Sequence, residues 1–223
     1  MSIGFASYFL LLFFFLSRLF AQDTHEELLN KLEINYPTEI FFEQTTEEKN
    51  KIKGWMIIGG KGKVRTEFKP PNNLVIVGTG KWLIFHDARY DRTTYLPINQ
   101  GILSSFLNPD TLKKSDELNV LKEVKEDSII YKVSSKSELY AGKLEIVFTR
   151  EDDAKILEWT VTDKTNKAIK IKVTSSEKLK QGDMNKKNFF SFSKDMRNNE
   201  KAFLGPYERK IKKTTTSGRP GDN

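Results

Sequence analysis

The chain has 223 residues, no cysteine, 30% charged and 12% aromatic residues, and a formal net charge of +7. That length suits a single domain with a substantial core, and the lack of cysteine excludes thiol catalysis, a disulfide framework and a lipid-bearing N-terminal cysteine. The basic excess is scattered along strand-like runs and gathered in the C-terminal tail, which favours solubility and attraction to acidic surfaces over nucleic-acid recognition.

Residues 1–21 contain the apolar run Tyr8–Leu16 and end on the small residue Ala21, just before polar Gln22-Asp23-Thr24. The run is too short to span a bilayer. It reads as a secretory signal peptide cleaved near Ala21, although a basic n-region is missing; an uncleaved N-terminal anchor is the alternative. Export is the expectation. Residues 22–195 are expected to form one domain, and 196–223 a basic, disordered tail.

The segment 24–34 begins with an N-cap candidate, Asp23 or Thr24, and carries Glu26-Glu27 in its first turn, where the helix dipole favours acids. Leu28 and Leu32 share a face, so a short amphipathic helix is predicted, ended by Pro37. Strands follow at 38–46 and 52–58. Gly59-Gly60-Lys61-Gly62 falls near a phosphate-loop pattern, but position 60 is Gly where the loop needs Lys, and no helix begins there. A hairpin turn is the better reading.

The stretch 64–98 is the densest part of the pattern. Val64, Thr66 and Phe68 alternate with Arg65, Glu67 and Lys69, the period of a half-buried strand. Pro70-Pro71-Asn72-Asn73 breaks the ladder. Leu74–Val77 and Trp82–Phe85 are apolar on both parities, joined by a Gly78-Thr79-Gly80 turn, and 93–96 returns. Antiparallel strands usually bury one face and wet the other. Two apolar faces need two coverings: a core on one side and a helix, a sheet or a ligand on the other. The parity of Leu74–Val77 stays open at this point.

Ile102, Leu103, Phe106 and Leu107 have helical spacing, and Asn108-Pro109 ends that run; 110–115 is a further helical turn. Strands resume at 118–124, 128–134, 144–148, 157–161 and 169–173, with turn residues between them, as in a sandwich or barrel. Phe189, Phe190 and Phe192 suggest one last short strand.

Catalytic chemistry finds little footing. The chain has two histidines. His86-Asp87 invites a metal or general-base reading, but a His-Asp metal site needs further histidines. No serine-centred nucleophile elbow occurs. The expectation is a protein that is not an enzyme, with no cofactor and no metal.

The order of these segments resembles the periplasmic outer-membrane lipoprotein carriers, the LolA-like family. The likeness covers roughly residues 24–193. It rests on a Leu-rich helix after a secretory signal, the Phe42-Glu43-Gln44 strand, the Gly-started strand Gly54–Ile58, and a charged strand ending near Pro70. The valine-rich strand Leu74–Val77, the Gly80-Lys81 turn and the aromatic strand Leu83–Asp87 complete it. Three departures stand out. The family's Arg-Pro pair, whose arginine holds the lid helices, falls at Gly60-Lys61; Lys61, Lys63 or Arg65 is a substitute, though lysine does not reproduce a guanidinium fork. His86 stands where the family has Tyr. The C-terminal Phe-x-Phe survives as Phe190-Ser191-Phe192.

The resemblance implies a mainly β fold: a half-open antiparallel β-barrel, a strongly curved sheet whose short helices form a lid over a hydrophobic cavity. It implies a monomeric carrier that shields the acyl chains of lipoproteins between an inner-membrane release complex and an outer-membrane acceptor, without nucleic acid. Trp55, Ile57, Phe68, Leu74, Ile76, Trp82, Ile84, Ile146, Phe148 and Trp159 are the candidate lipid-binding cavity, and Leu28, Leu32, Ile102 and Phe106 the candidate lid. Two other readings remain. One is an envelope-stress sensor or regulator with this fold, which would be expected to carry a second domain where this chain has only a tail after about 193. The other is a structural interaction protein whose barrel is filled by its own side chains.

Overall fold

A computed structural model describes residues 24–46, 48, 50–114, 117–135, 137–138, 141–151, 153–180, 182 and 189–192. The expected signal peptide, 1–21, and the expected tail, 196–223, lie outside the described residues.

Helix α1 spans 24–35. The chain then builds β1 (Thr38–Thr45), β2 (Lys51–Gly60), β3 (Lys63–Phe68), β4 (Leu74–Thr79), β5 (Trp82–Asp87) and β6 (Arg92–Pro97). Two short helices follow, α2 (Ser104–Leu107) and α3 (Asp110–Lys114). The second run holds β7 (Leu118–Val124), β8 (Ser128–Ser135), β9 (Lys143–Thr149), β10 (Ile156–Thr162) and β11 (Ala168–Lys178). All strands join one antiparallel sheet of 11 strands in the order β6-β5-β4-β3-β2-β1-β11-β10-β9-β8-β7. This is the expected mainly β fold: a curved, unclosed sheet with a few short helices.

Two meanders are joined in the middle by the first and last strands in sequence, β1 and β11. The free edges are β6 and β7, and the segment connecting them carries α2 and α3. Register then fixes the faces. Phe42 lies opposite Gly54, and Gly54 opposite Phe68, so these three share one side. That side is the concave one, because Phe42 and Phe68 join Leu28, Leu32 and Phe106 in a single buried cluster. Gly54 is required there: a Cβ would fall 2.2 Å from the Phe42 ring. Gly62 is required at the β2–β3 turn, where φ is +74°, a region costly for residues with a Cβ.

Two expectations change. The predicted strand at Phe189–Phe192 is absent; 189–190 form a turn. The helix expected from residue 100 narrows to Ser104–Leu107, after turns at 102–103. Among the described residues no helix is long and apolar enough to cross a membrane.

Candidate functional site: a lidded concave face

The concave face is apolar across nearly its whole width. Ile40, Phe42, Met56, Ile58, Val64 and Phe68 supply it from β1–β3. Tyr131, Leu144, Ile146, Phe148 and Trp159 supply it from β8–β10. Rings meet edge-on, Phe42 with Phe68 at 5.7 Å and Tyr131 with Phe148 at 5.8 Å between centroids, a favoured geometry for aromatic pairs. Short helical pieces complete this cluster where a sandwich would use a second sheet. Leu28, Leu32, Ile102 and Phe106 are each at most 3% exposed, and Phe106 lies 5.0 Å from Trp159. All four candidate lid residues thus press on the concave face.

The helices are held down by a small set of polar ties. The Tyr36 hydroxyl donates to the Phe106 carbonyl at 2.7 Å, and the Gly62 amide to the Leu107 carbonyl at 2.8 Å. These ties anchor α2 to the end of α1 and to the β2–β3 turn. Asn35 Nδ2 donates to the Ala154 carbonyl at 2.8 Å, and His25 Nε2 to the Leu118 carbonyl at 3.0 Å. Lys122 and Glu27 pair at 2.7 Å, fastening α1 to β7. Burial alone would raise the Glu27 carboxyl, but the hydrogen bond and charge of Lys122 outweigh it and hold the group below the ordinary carboxylate range. Burial pushes the Tyr36 phenol well up, so it is a neutral donor at any physiological pH.

Substitution of the family's latch arginine takes an unexpected form. Arg65 points to the convex face, where its Nε donates to Glu67 Oε1 at 2.7 Å and its Nη1 to the Phe189 carbonyl at 3.2 Å. It does not reach α2. Lys61 and Lys63 stand exposed beside a cleft of 460 Å³, lined also by Glu33, Tyr36, Pro109, Asp110 and Phe190. The hydrogen bonds to α2 come instead from Tyr36 and the Gly62 backbone.

The candidate cavity residues divide between the two faces. Phe68, Leu74, Ile76, Ile146, Phe148 and Trp159 belong to the concave cluster. Trp55, Ile57 and Ile84 do not line it. Trp55 lies opposite Phe41 and Glu67, Ile57 opposite Arg65, and Ile84 opposite Val77, all on the convex side. Trp82 shares their parity and is 40% exposed. The open parity of β4 resolves in the same way, with Leu74 and Ile76 inward and Val75 and Val77 outward and fully buried.

The convex side of β2–β5 has its own covering. Trp55 and Ile57 pack with Phe189, and Phe41, Leu179 and Phe190 flank them. Phe192 stacks 5.4 Å from His86. The chain's own segment 189–192 therefore occupies the place that a ligand was one candidate to fill. Beneath it Arg65 and Glu67, 0% and 1% exposed, form a buried ion pair. Burial pulls the Arg65 guanidinium down, and the Glu67 carboxylate opposes that pull. His86 Nδ1 shares a hydrogen bond with Thr93 at 3.1 Å, whereas Asp87 pairs with Arg89 at 2.6 Å. The two neighbours thus face different partners. No group of three metal-ligating side chains occurs among the described residues.

The sequence of residues 38–193 matches the family model for the outer membrane lipoprotein carrier protein LolA. The chain belongs to the LolA family. No curated protein matches it in sequence. Solved structures similar to it include an uncharacterised conserved protein from Thermus thermophilus, at 13% identity and a TM-score of 0.45 over 76% of this chain and 94% of the other. A domain provisionally assigned as an outer membrane lipoprotein-sorting protein from Vibrio parahaemolyticus gives 10% identity and 0.44, over 77% and 100%. A LolA superfamily protein from Nitrosomonas europaea gives 9% and 0.41, over 77% and 97%. At these values the family rests on the sequence match.

Within the LolA family frame, the concave-face residues of β1–β3 that sequence reasoning missed are Ile40, Phe42, Met56, Ile58 and Val64, beside Tyr131 and Leu144 of β8 and β9. On β1–β3 the signal was Gly54: a glycine in a strand marks a close approach from a neighbour, here the Phe42 ring.

Proposed function

We propose that this LolA-family protein is a periplasmic carrier that shields the acyl chains of lipoproteins on its concave face and delivers them from the inner to the outer membrane. The observation that carries this reading is the way the apolar face is closed. Its covering is made of short helical pieces held by a few hydrogen bonds and one ion pair at the rim. A covering of that kind can move as a unit and uncover a continuous apolar surface, whereas a second sheet cannot without unfolding.

Energetics supply the need for such a surface. Each methylene buried from water is worth about 0.8 kcal/mol, so a sixteen-carbon chain left bare costs on the order of 10 kcal/mol. Acyl chains entering the concave face would take over the contacts that Leu28, Leu32, Ile102 and Phe106 make in the closed state. Binding is then an exchange of one apolar occupant for another, weak enough to allow release. An inner-membrane release complex would load the carrier and an outer-membrane acceptor would unload it.

Native mass spectrometry of the protein purified from its own periplasm, followed by lipid extraction, tests the reading. Acylated protein or lipid near one-to-one is the expected result. A bare mass, together with failure to bind an added triacylated peptide, would overturn it in favour of an interaction protein whose barrel is filled by its own side chains.

A further inference from the structure

Exposed aromatic side chains are not spread over this molecule. Among the described residues the large exposed ones are Trp82, Tyr90 and Tyr95, at 40%, 75% and 47%, and all three lie on the single hairpin β5–β6. Leu96, 47% exposed, joins them. Strand β6 is a free edge of the sheet, paired only with β5. Register places Trp82 opposite Pro97 and Tyr95 opposite Ile84, so Trp82 and Tyr95 share the convex side. Leu96, opposite Leu83, faces the concave side. This edge is therefore apolar on both of its faces at once.

The other free edge is treated differently. Strand β7 also exposes Leu121 and Val124, at 58% and 55%, but it carries no aromatic side chain, its Lys122 and Glu123 are ion-paired, and α1 reaches across to it through His25 and Glu27. Charges and a covering element are the usual ways to guard an edge. Strand β6 has Arg92 at its start and then Thr93-Thr94-Tyr95-Leu96. Exposed cations border the aromatics: Lys81, Arg89 and Arg92, against Asp87 and Asp91. The Arg89 guanidinium lies 5.3 Å over the Tyr90 ring. Trp and Tyr with neighbouring Lys and Arg are the side chains that favour a bilayer's headgroup region, and a basic surface is drawn to anionic lipid.

We propose that the β5–β6 hairpin is a membrane-docking edge, which seats Trp82, Tyr95 and Leu96 at the surface of an anionic phospholipid bilayer. Charge favours this occupant over a second copy: at this edge the exposed cations Lys81, Arg89 and Arg92 outnumber Asp87 and Asp91, so two such edges repel while an anionic bilayer attracts each. The inference is independent of acyl uptake: a protein that docks on vesicles and binds no acylated peptide would keep the edge and lose the carrier.

The chain supplies its own probe. Trp55 and Trp159 are each 2% exposed, so Trp82 is the tryptophan in reach of lipid. The full mature chain would be mixed with vesicles of phosphatidylcholine and phosphatidylglycerol in equal parts, with and without brominated acyl chains. Expected results are co-sedimentation that weakens with salt and a Trp82 emission that shifts blue and is quenched by bromine. The double substitution Tyr95→Ser and Leu96→Ser should lower the partition coefficient about ten-fold, with circular dichroism and Tm confirming the fold. Trp82→Phe should keep sedimentation and lose the quenching. Absence of sedimentation, unaltered partition of the double variant, or sedimentation without quenching would each overturn the proposal. So would a concentration-dependent dimer abolished by the double variant, which would make β6 a self-pairing edge.

Discussion

The two halves of the sheet solve the same problem in different ways. In β8–β10 the inward residues are apolar and most outward ones are polar or charged: Lys132, Glu145 and Glu158 stand on the convex side opposite to Tyr131, Ile146 and Trp159, with Ile130 and Val147 the apolar exceptions. Water covers that side, and Glu158 pairs with Lys170 in solvent at 2.7 Å. In β2–β5 both sides are buried, and the convex one includes Val75, Val77, His86, Arg65 and Glu67, each at most 1% exposed. The phenylalanines at 189, 190 and 192 replace water there. One half is an ordinary amphipathic sheet, and the other is a three-layer sandwich of lid, sheet and C-terminal segment.

Substitutions that touch what both halves share should have the largest effect. Phe148→Asp puts a carboxylate into the joint concave core and should abolish cooperative unfolding, read by near-ultraviolet circular dichroism; Phe148→Ala should cost about 3–5 kcal/mol in urea. Next comes the pair that distinguishes the halves. Arg65→Leu leaves Glu67 buried without its partner and should cost about 3–5 kcal/mol. The matching change on the solvated half, Lys170→Ala, should lower stability in urea by less than about 0.5 kcal/mol. Equal losses from the two variants would erase the distinction drawn between buried and wetted convex faces.

Smaller effects are expected at the lid. Tyr36→Phe removes one hydrogen bond and should cost about 1 kcal/mol, and amide exchange over Ser104–Leu107 should accelerate more than exchange in β8–β10. The Glu27 carboxyl is held below its ordinary value in the folded state, so its stabilising effect is present above that value and fades as pH falls through the lowered one. Glu27→Gln should therefore flatten the acid limb of Tm below the ordinary carboxylate range, modestly, because the pair with Lys122 is partly open to solvent.

Much of this architecture was legible in the sequence. The strands of the second half alternate cleanly, and the spacing of Leu28, Leu32, Ile102 and Phe106 marked them as apolar residues of short covering segments, which the structure buries in the concave cluster. The first half resisted for a physical reason. When both parities are apolar, alternation no longer says which is inward, and Trp55 and Ile57 were grouped with Phe68 although register puts them on the opposite face. The pairing of Phe42 with Gly54 and Phe68, and their burial against Leu28, Leu32 and Phe106, settle the parity, and the contacts with Phe106 are non-local in sequence. The segment 189–192 was read as a strand because three phenylalanines in four residues suit one. Its partners, Trp55 and His86, are more than a hundred residues away in sequence.

The pairing of β1 with β11 governs when this protein becomes complete. Thr38 donates its hydroxyl to the Glu177 carbonyl, 139 residues along the chain, and the strand beside β1 on that side is nearly the last one made. Until it emerges from the ribosome, β1 has one neighbour and the lid has half a surface to close on. Contacts of such sequence separation make folding slow. A nascent chain thus cannot close its sheet until β11 has been made.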